Sequence, residues 1–186
     1  VNLNLNNNSD TIGALVGGGS TGGNIILGSG NLTINQIYRY GSSIAVQDTT
    51  YAGVISGTGS VTKTGYGILT LTNANTYTGG STVNQGGLNI SVNNALVANR
   101  AITLSGTGYL YINDNITITT SALAITANAN LWVRRLATVN INQSTNTEMA
   151  GTIFGFGTGE NKGKLRKTGS GTFNITGSNN ITVENY

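Results

Sequence analysis

What most constrains this chain is that it repeats itself. AGVISGTGSVTKTGYGILTLT at 52–72 returns as AGTIFGFGTGENKGKLRKTGSGTFNIT at 150–176. Within these copies Lys63-Thr64-Gly65-Tyr66-Gly67 matches Lys167-Thr168-Gly169-Ser170-Gly171, and each is followed by an alternating strand. The second copy carries extra residues before the match, and they include the basic run ENKGKLRK at 160–167. A fainter copy, GALVGGGSTGGNIILGSGNLTI, lies at 13–34. A unit this short cannot bury its own apolar face, so repetition implies stacked modules sharing one core.

The period inside each unit is 2. Leu3/Leu5, Ile25/Leu27, Leu32/Ile34, Ile44/Val46, Leu69/Leu71, Leu88/Ile90/Val92, Ile102/Leu104, Leu110/Ile112, Ile116/Ile118, Leu123/Ile125, Leu131/Val133, Val139/Ile141, Phe173/Ile175 and Ile181/Val183 alternate, with Thr, Asn, Ser or Tyr at many of the intervening positions. Such runs are short strands with one apolar and one polar face. Only NNALVANRA at 93–101 suggests a helical turn. Gly-Gly, Gly-Ser-Gly and Asn-Asn between strands accept positive φ and turn the backbone cheaply.

Two all-β arrangements fit these strands: a parallel β-helix (solenoid), or an antiparallel β-sandwich. Composition favours the first. Rungs about 4.8 Å apart bring like residues together, so stacked charges repel while Asn, Thr and Ser can form ladders; only 8% of the residues are charged. Proline deletes a ladder donor in a strand bonded on both sides, and the chain has none. The expectation is one solenoid segment over 1–186, with units near 13–34, 52–90 and 150–176 and about nine coils of roughly 20 residues.

KTGYGILTLTNANTYTGGSTVNQGGLNI at 63–90 resembles the autotransporter-associated β-strand repeat of bacterial type V passenger domains. Lys63, Gly65, Gly67, Leu69, Leu71, Asn75, Tyr77, Gly79, Val83, Gly87 and Leu88 fall near the places of that motif. SVNNALV after it is also similar, whereas 150–176 matches the first half alone. The resemblance implies a right-handed parallel β-helix that is exported and folds on the bacterial cell surface or outside it. It implies a rigid stalk that is structural or adhesive and not an enzyme, cut from a longer passenger. The start of the chain offers no basic and apolar leader, and no run approaches 18 apolar residues, so neither signal peptide nor membrane span is expected here. A self-assembling extracellular fibre subunit is the alternative, joined end to end through unpaired terminal strands; a polysaccharide-acting β-helix enzyme is the third reading.

The residue inventory narrows the chemistry. With no histidine and no cysteine, imidazole bases, thiolates and disulfides are excluded. Asp10, Asp48, Asp114, Glu148, Glu160 and Glu184 are the only acids and lie scattered, where glycoside cleavage needs two within roughly 5–10 Å. No aspartate follows the glycine pairs in the manner of calcium-binding repeats, and no apolar helix follows the glycines and lysines of 157–164 to hold a phosphate. No catalytic residue, cofactor or metal is therefore expected. A net charge of +3 without interleaved aromatics argues against nucleic acid. Two surfaces remain for host or neighbouring-cell glycans or proteins. Lys162, Lys164, Arg166 and Lys167 with Arg134 and Arg135 form a candidate anion-binding face. Tyr109, Tyr111 and Trp132, on alternate positions, form a candidate sugar-stacking surface. Threonine pairs at 70–72 and 117–119 are irregularly spaced and their neighbours vary, so a row built on them would be broken.

Overall fold

The computed structural model describes residues 2–19, 23–40 and 43–185, with the backbone alone for 38–40 and 43–45. Residues 20–22 of the faint copy at 13–34, and the side chains of Tyr38, Arg39, Tyr40 and Ile44, lie outside what is described. The chain winds as a parallel β-solenoid whose coils have three faces. On the second face, Asp10–Ile12, Leu32–Asn35, Val61–Thr64, the starts of Ser81–Ile90 and Arg100–Ile112, the end of Thr117–Ile125, Thr147–Met149 and Phe173–Ile175 pair in succession. The third face stacks Thr49–Tyr51, Ile68–Leu71, the later halves of Ser81–Ile90 and Arg100–Ile112, Asn130–Val133 and Thr152–Gly155. On the first face Leu3–Asn4, Ile25–Ile26 and Ile55–Ser56 form one parallel stack. A second stack there joins Thr117–Ile125, Thr138–Asn142, Lys164–Thr168 and Thr182–Asn185. Every one of these pairings is parallel, which excludes the sandwich.

The alternation places the core. Leu69, Leu88, Leu110, Leu131 and Ile153 stack in one inward column, and Leu71, Ile90, Ile112 and Val133 in the next. Each fully buried Leu or Ile side chain contributes about 1.5–3 kcal/mol of hydrophobic stabilisation. Outward positions carry the polar ladders: Asn84 donates to Ser105 (3.1 Å), Asn89 to Thr70 (3.3 Å) and Asn140 to Thr119 (3.5 Å).

There are about eight coils rather than nine. The register advances 20 residues from Val61 to Ser81 and 21 from Ser81 to Ile102, yet 29 from Leu32 to Val61 and 26 from Met149 to Ile175. The longer steps hold insertions at the corners. One contains Tyr38–Tyr40 and Ser43–Ala45, the antiparallel pair among the described strands; the other contains a short 3-10 turn at Gly159–Asn161. Residues 93–99 form turns rather than helix.

The threonines of 70–72 and 117–119 stand in broken rows, since Thr70 meets Asn89 and Thr119 meets Asn140, but a continuous row forms elsewhere. Thr11, Thr33, Thr62, Thr82 and Thr103 stand in register across five coils of the second face. Unequal coil lengths hide this row in the linear sequence.

Two lysines occupy core columns. Lys63 stands between Ile34 and Val83, and Lys167 beside Ile141. Lys63 Nζ donates to the carbonyls of Thr64 (2.7 Å), Gly65 (2.9 Å) and Gln85 (3.3 Å). Lys167 Nζ donates to those of Thr168 (2.8 Å) and Gly169 (2.7 Å). The lysine of K-T-G-x-G is thus an internal clamp on the turn that follows it. Lys167 does not stand on the exposed basic face where the sequence reading put it.

Candidate functional site

The outward side of the third face forms a grid. Tyr109, Asn130 and Thr152 are in register in one column; Asn89, Tyr111, Trp132 and Phe154 make the next. Just beyond the strands, Arg134 N donates to Ile112 O and Phe156 N to Val133 O, which sets Asn113, Arg134 and Phe156 level at the corner. Short alternating segments, Tyr109-Leu110-Tyr111, Trp132-Val133-Arg134 and Phe154-Gly155-Phe156, therefore deliver rings on three successive coils. A Cβ on Gly87 would overlap the ring of Tyr109, so the missing side chain gives Tyr109 its place.

The rings touch edge to face. Tyr111 and Trp132 centroids are 4.4 Å apart at 79°, Trp132 and Phe154 5.7 Å at 79°, and Tyr109 and Tyr111 5.4 Å at 85°. Trp132 also meets Tyr109 at 6.3 Å and Phe156 at 6.0 Å. Such pairs contribute about 0.5–1.5 kcal/mol each beyond area burial. The Arg134 guanidinium lies 5.8 Å over the Phe156 ring, and its Nε donates to Asp114 at 3.1 Å. Phe154 and Phe156 remain 37% and 40% exposed. A shallow depression of about 340 Å³ is lined by Asn89, Tyr111, Trp132, Arg134 and Phe156 among others. Burial, chiefly, raises the phenols of Tyr109 and Tyr111, with the charge of Asp48 adding to the first and Tyr109 to the second. Both stay neutral hydroxyls, able to donate and accept.

The basic residues divide around the corner from this grid. Arg134 belongs to the aromatic cluster, and exposed Arg135 donates its N–H to Asp114 at 3.2 Å. On the first face Lys164 and Arg166 both bind Glu184, at 3.0 and 2.6 Å, which holds its carboxyl down to about 2. Lys162 lines a small depression with Lys164, Arg166 and Glu160. Three cations thus stand among two carboxylates, leaving a weak net field.

The acids serve the backbone and the surface. Asp48 accepts the Ile68 N–H at 2.8 Å, and Glu148 accepts from Thr176 at 2.9 Å. Among the described residues no group of three or more acids could hold a metal ion, and no helix is long and apolar enough to cross a membrane. The sequence reading missed Phe154, Phe156 and Asn89. Their signal was the alternation Phe154-Gly155-Phe156, which needs the 22-residue step from Trp132 to Phe154 before it joins the other rings.

Comparison with known proteins agrees with this architecture. A family model described as the passenger-associated transport repeat matches residues 61–90 and 165–182. The chain is 39% identical over 85 residues to an adhesin, the BmaC autotransporter of Brucella suis biovar 1 (strain 1330). That alignment covers 45% of this chain and 2% of the adhesin's length. No solved structure matches significantly.

Proposed function

We propose that this chain, which carries autotransporter passenger repeats, acts as a rigid, non-catalytic stalk in a secreted or cell-surface protein, and that its faces serve adhesion. The observation that best supports this reading is the parallel ladder running from Asp10–Ile12 to Phe173–Ile175. Each coil in it needs only its neighbour. A chain emerging from an export pore can then add one coil at a time, since no strand waits for a distant partner. Stiffness follows from the shared core, because bending the stack would part ladders and open apolar columns to water. Likeness to a protein named as an adhesin supports the adhesive half of the reading.

The test uses the full-length protein on its own cells. An epitope placed in the exposed corner at 157–161 is expected to be labelled on intact cells, and deleting residues 102–122, one register step, is expected to leave export intact. Labelling only after lysis contradicts surface display. Attachment to host or neighbouring cells that is unchanged when the segment is removed contradicts adhesion.

A further inference from the structure

The geometry points to the aromatic strip of the third face as a binding site for a neutral, extended β-1,4-linked glycan lying along the solenoid axis. This deepens the adhesive role proposed above by assigning it a place and a ligand class.

The strip is unlike the rest of the surface. Elsewhere the exposed large apolar side chains stand apart among Thr, Asn, Ser and charged residues, whereas here Tyr111, Trp132 and Phe154 stack in register with Phe156 beside them. Packing alone explains half-buried Tyr111 and Trp132. It does not explain two phenylalanines left over a third exposed on the next coil. Rings in water at a polar rim are the usual platform for a partner with an apolar face. A pyranose is such a partner, with C–H bonds on its faces and hydroxyls around its edge.

The polar groups fit the hydroxyl edge. Trp132 Nε1, a donor, and Asn89 Oδ1, an acceptor, are buried without a hydrogen-bond partner, and both residues line the same depression. Buried polar atoms normally find partners, so an orphaned pair of opposite sense facing one hollow calls for explanation. A sugar hydroxyl donates and accepts at once, and a small shift of the Phe156 ring would admit it. Asn113 and Arg134 complete the rim.

Spacing and charge select the class. Rungs repeat at about 4.8 Å, close to the length of one pyranose along a chain, so successive rings can each meet a successive sugar. The strip is narrow and runs along the stack, with one ring column over three coils and Tyr109 and Phe156 flanking it, which suits a ribbon-like β-1,4 chain better than the broad patch of a protein partner. Arg134 is already held by Asp114 and lies over Phe156, so little charge is left to draw a polyanion.

Trp132 is the single tryptophan of the chain, and its emission reads the site directly. Titration of the 186-residue chain with cellohexaose and chitohexaose should give a saturable change in that emission with at least one of them. Phe154→Ala and Phe156→Ala should each weaken binding at least tenfold while moving the urea midpoint little, because both rings are exposed. Ile26→Ala, removing an apolar side chain that is 36% exposed on the first face of the early coils, should leave affinity unchanged. The inference is overturned if neither oligosaccharide changes the emission, if polygalacturonate alone does so and salt abolishes it, or if the phenylalanine variants bind normally. Surface display is read on cells and glycan binding on purified chain, so either reading can fail without the other.

Discussion

The two K-T-G-x-G turns use the same residues and differ in what lies beside them. At both, the lysine two positions beyond an inward Val61 or Leu165 points into the core, and a glycine at φ +74° or +81° folds the following turn around it. Before each stands a buried glutamine one coil away. Gln36 donates to Thr49 Oγ1 at 2.6 Å, and Gln143 to Thr147 Oγ1 at 3.0 Å and Thr172 O at 2.9 Å. The turns diverge in the coil that follows. Gln85 from the next coil adds a third acceptor to Lys63, which is 1% exposed; Lys167 finds two acceptors and is 8% exposed. In a solenoid the local motif sets the conformation of the turn, and the neighbouring coil sets how strongly the buried charge is held.

The sharpest way to break that comparison is to delete each ammonium. Lys63→Ala orphans three carbonyls and leaves a cavity, so about 4 kcal/mol of stability should be lost, against about 2 kcal/mol for Lys167→Ala. Urea unfolding followed by circular dichroism checks the ratio, and equal losses would remove the distinction. Next in size, Gly65→Ala and Gly169→Ala should each cost about 3 kcal/mol, because both need a left-handed residue. Their added Cβ atoms would also press on Gln36 and Gln143. Here the two turns should behave alike, since the conformation is shared.

A pH series isolates the first lysine. Burial lowers its ammonium to about 8, with Asp48 pulling the other way, whereas the unfolded lysine keeps its proton to near 10.5. The unfolded chain therefore binds more protons between those values, and stability should rise as pH climbs from about 8. Tyr77 works in the opposite sense. Burial raises its phenol to about 12 despite the bond to Ser81, so above pH 10 the unfolded chain loses a proton that the folded one retains, and stability should fall. Chemical denaturation from pH 7 to 12 should show the rise and then the fall, and Lys63→Ala should abolish only the rise. The smallest effect belongs to the last coil. Glu184→Gln loosens the contacts to Lys164 and Arg166, so amide exchange over 182–185 should quicken several-fold with no change in the global midpoint. Acidification from pH 4.5 towards 2 should lower the protection of the same amides relative to their intrinsic exchange rates in the parent chain, since a carboxyl lowered on folding loses its contribution as it is protonated.

These contrasts also mark what could be read before the fold was known. Alternation showed which side chains turn inward and repetition that coils meet their own kind; low charge and the lack of proline favoured the parallel stack over the sandwich, and the parallel pairings decide it. The inward turn of Lys167 was legible too: it shares parity with Leu165, as Lys63 does with Val61, but a cluster of cations reads first as a surface. The threonine row and the Trp132–Phe154–Phe156 association were not legible. Both depend on register between coils, and corner insertions change the step from 20 to 29 residues without altering any strand. The ring cluster was seen in part through Tyr109, Tyr111 and Trp132, which lie on adjoining strands of ordinary coils.

The central claim is that successive coils lie parallel and in register, and cysteine cross-linking tests it most directly in a chain that has no cysteine of its own. Thr33 pairs with Thr62 and Asn35 with Thr64, all on the outward side and within the reach of a disulfide. Under mild oxidation the pair Thr33→Cys/Thr62→Cys and the pair Asn35→Cys/Thr64→Cys should both cross-link, while Thr33→Cys/Thr64→Cys and Asn35→Cys/Thr62→Cys should not. Cross-linking of the second two pairs in place of the first would mean antiparallel neighbours and would contradict the solenoid.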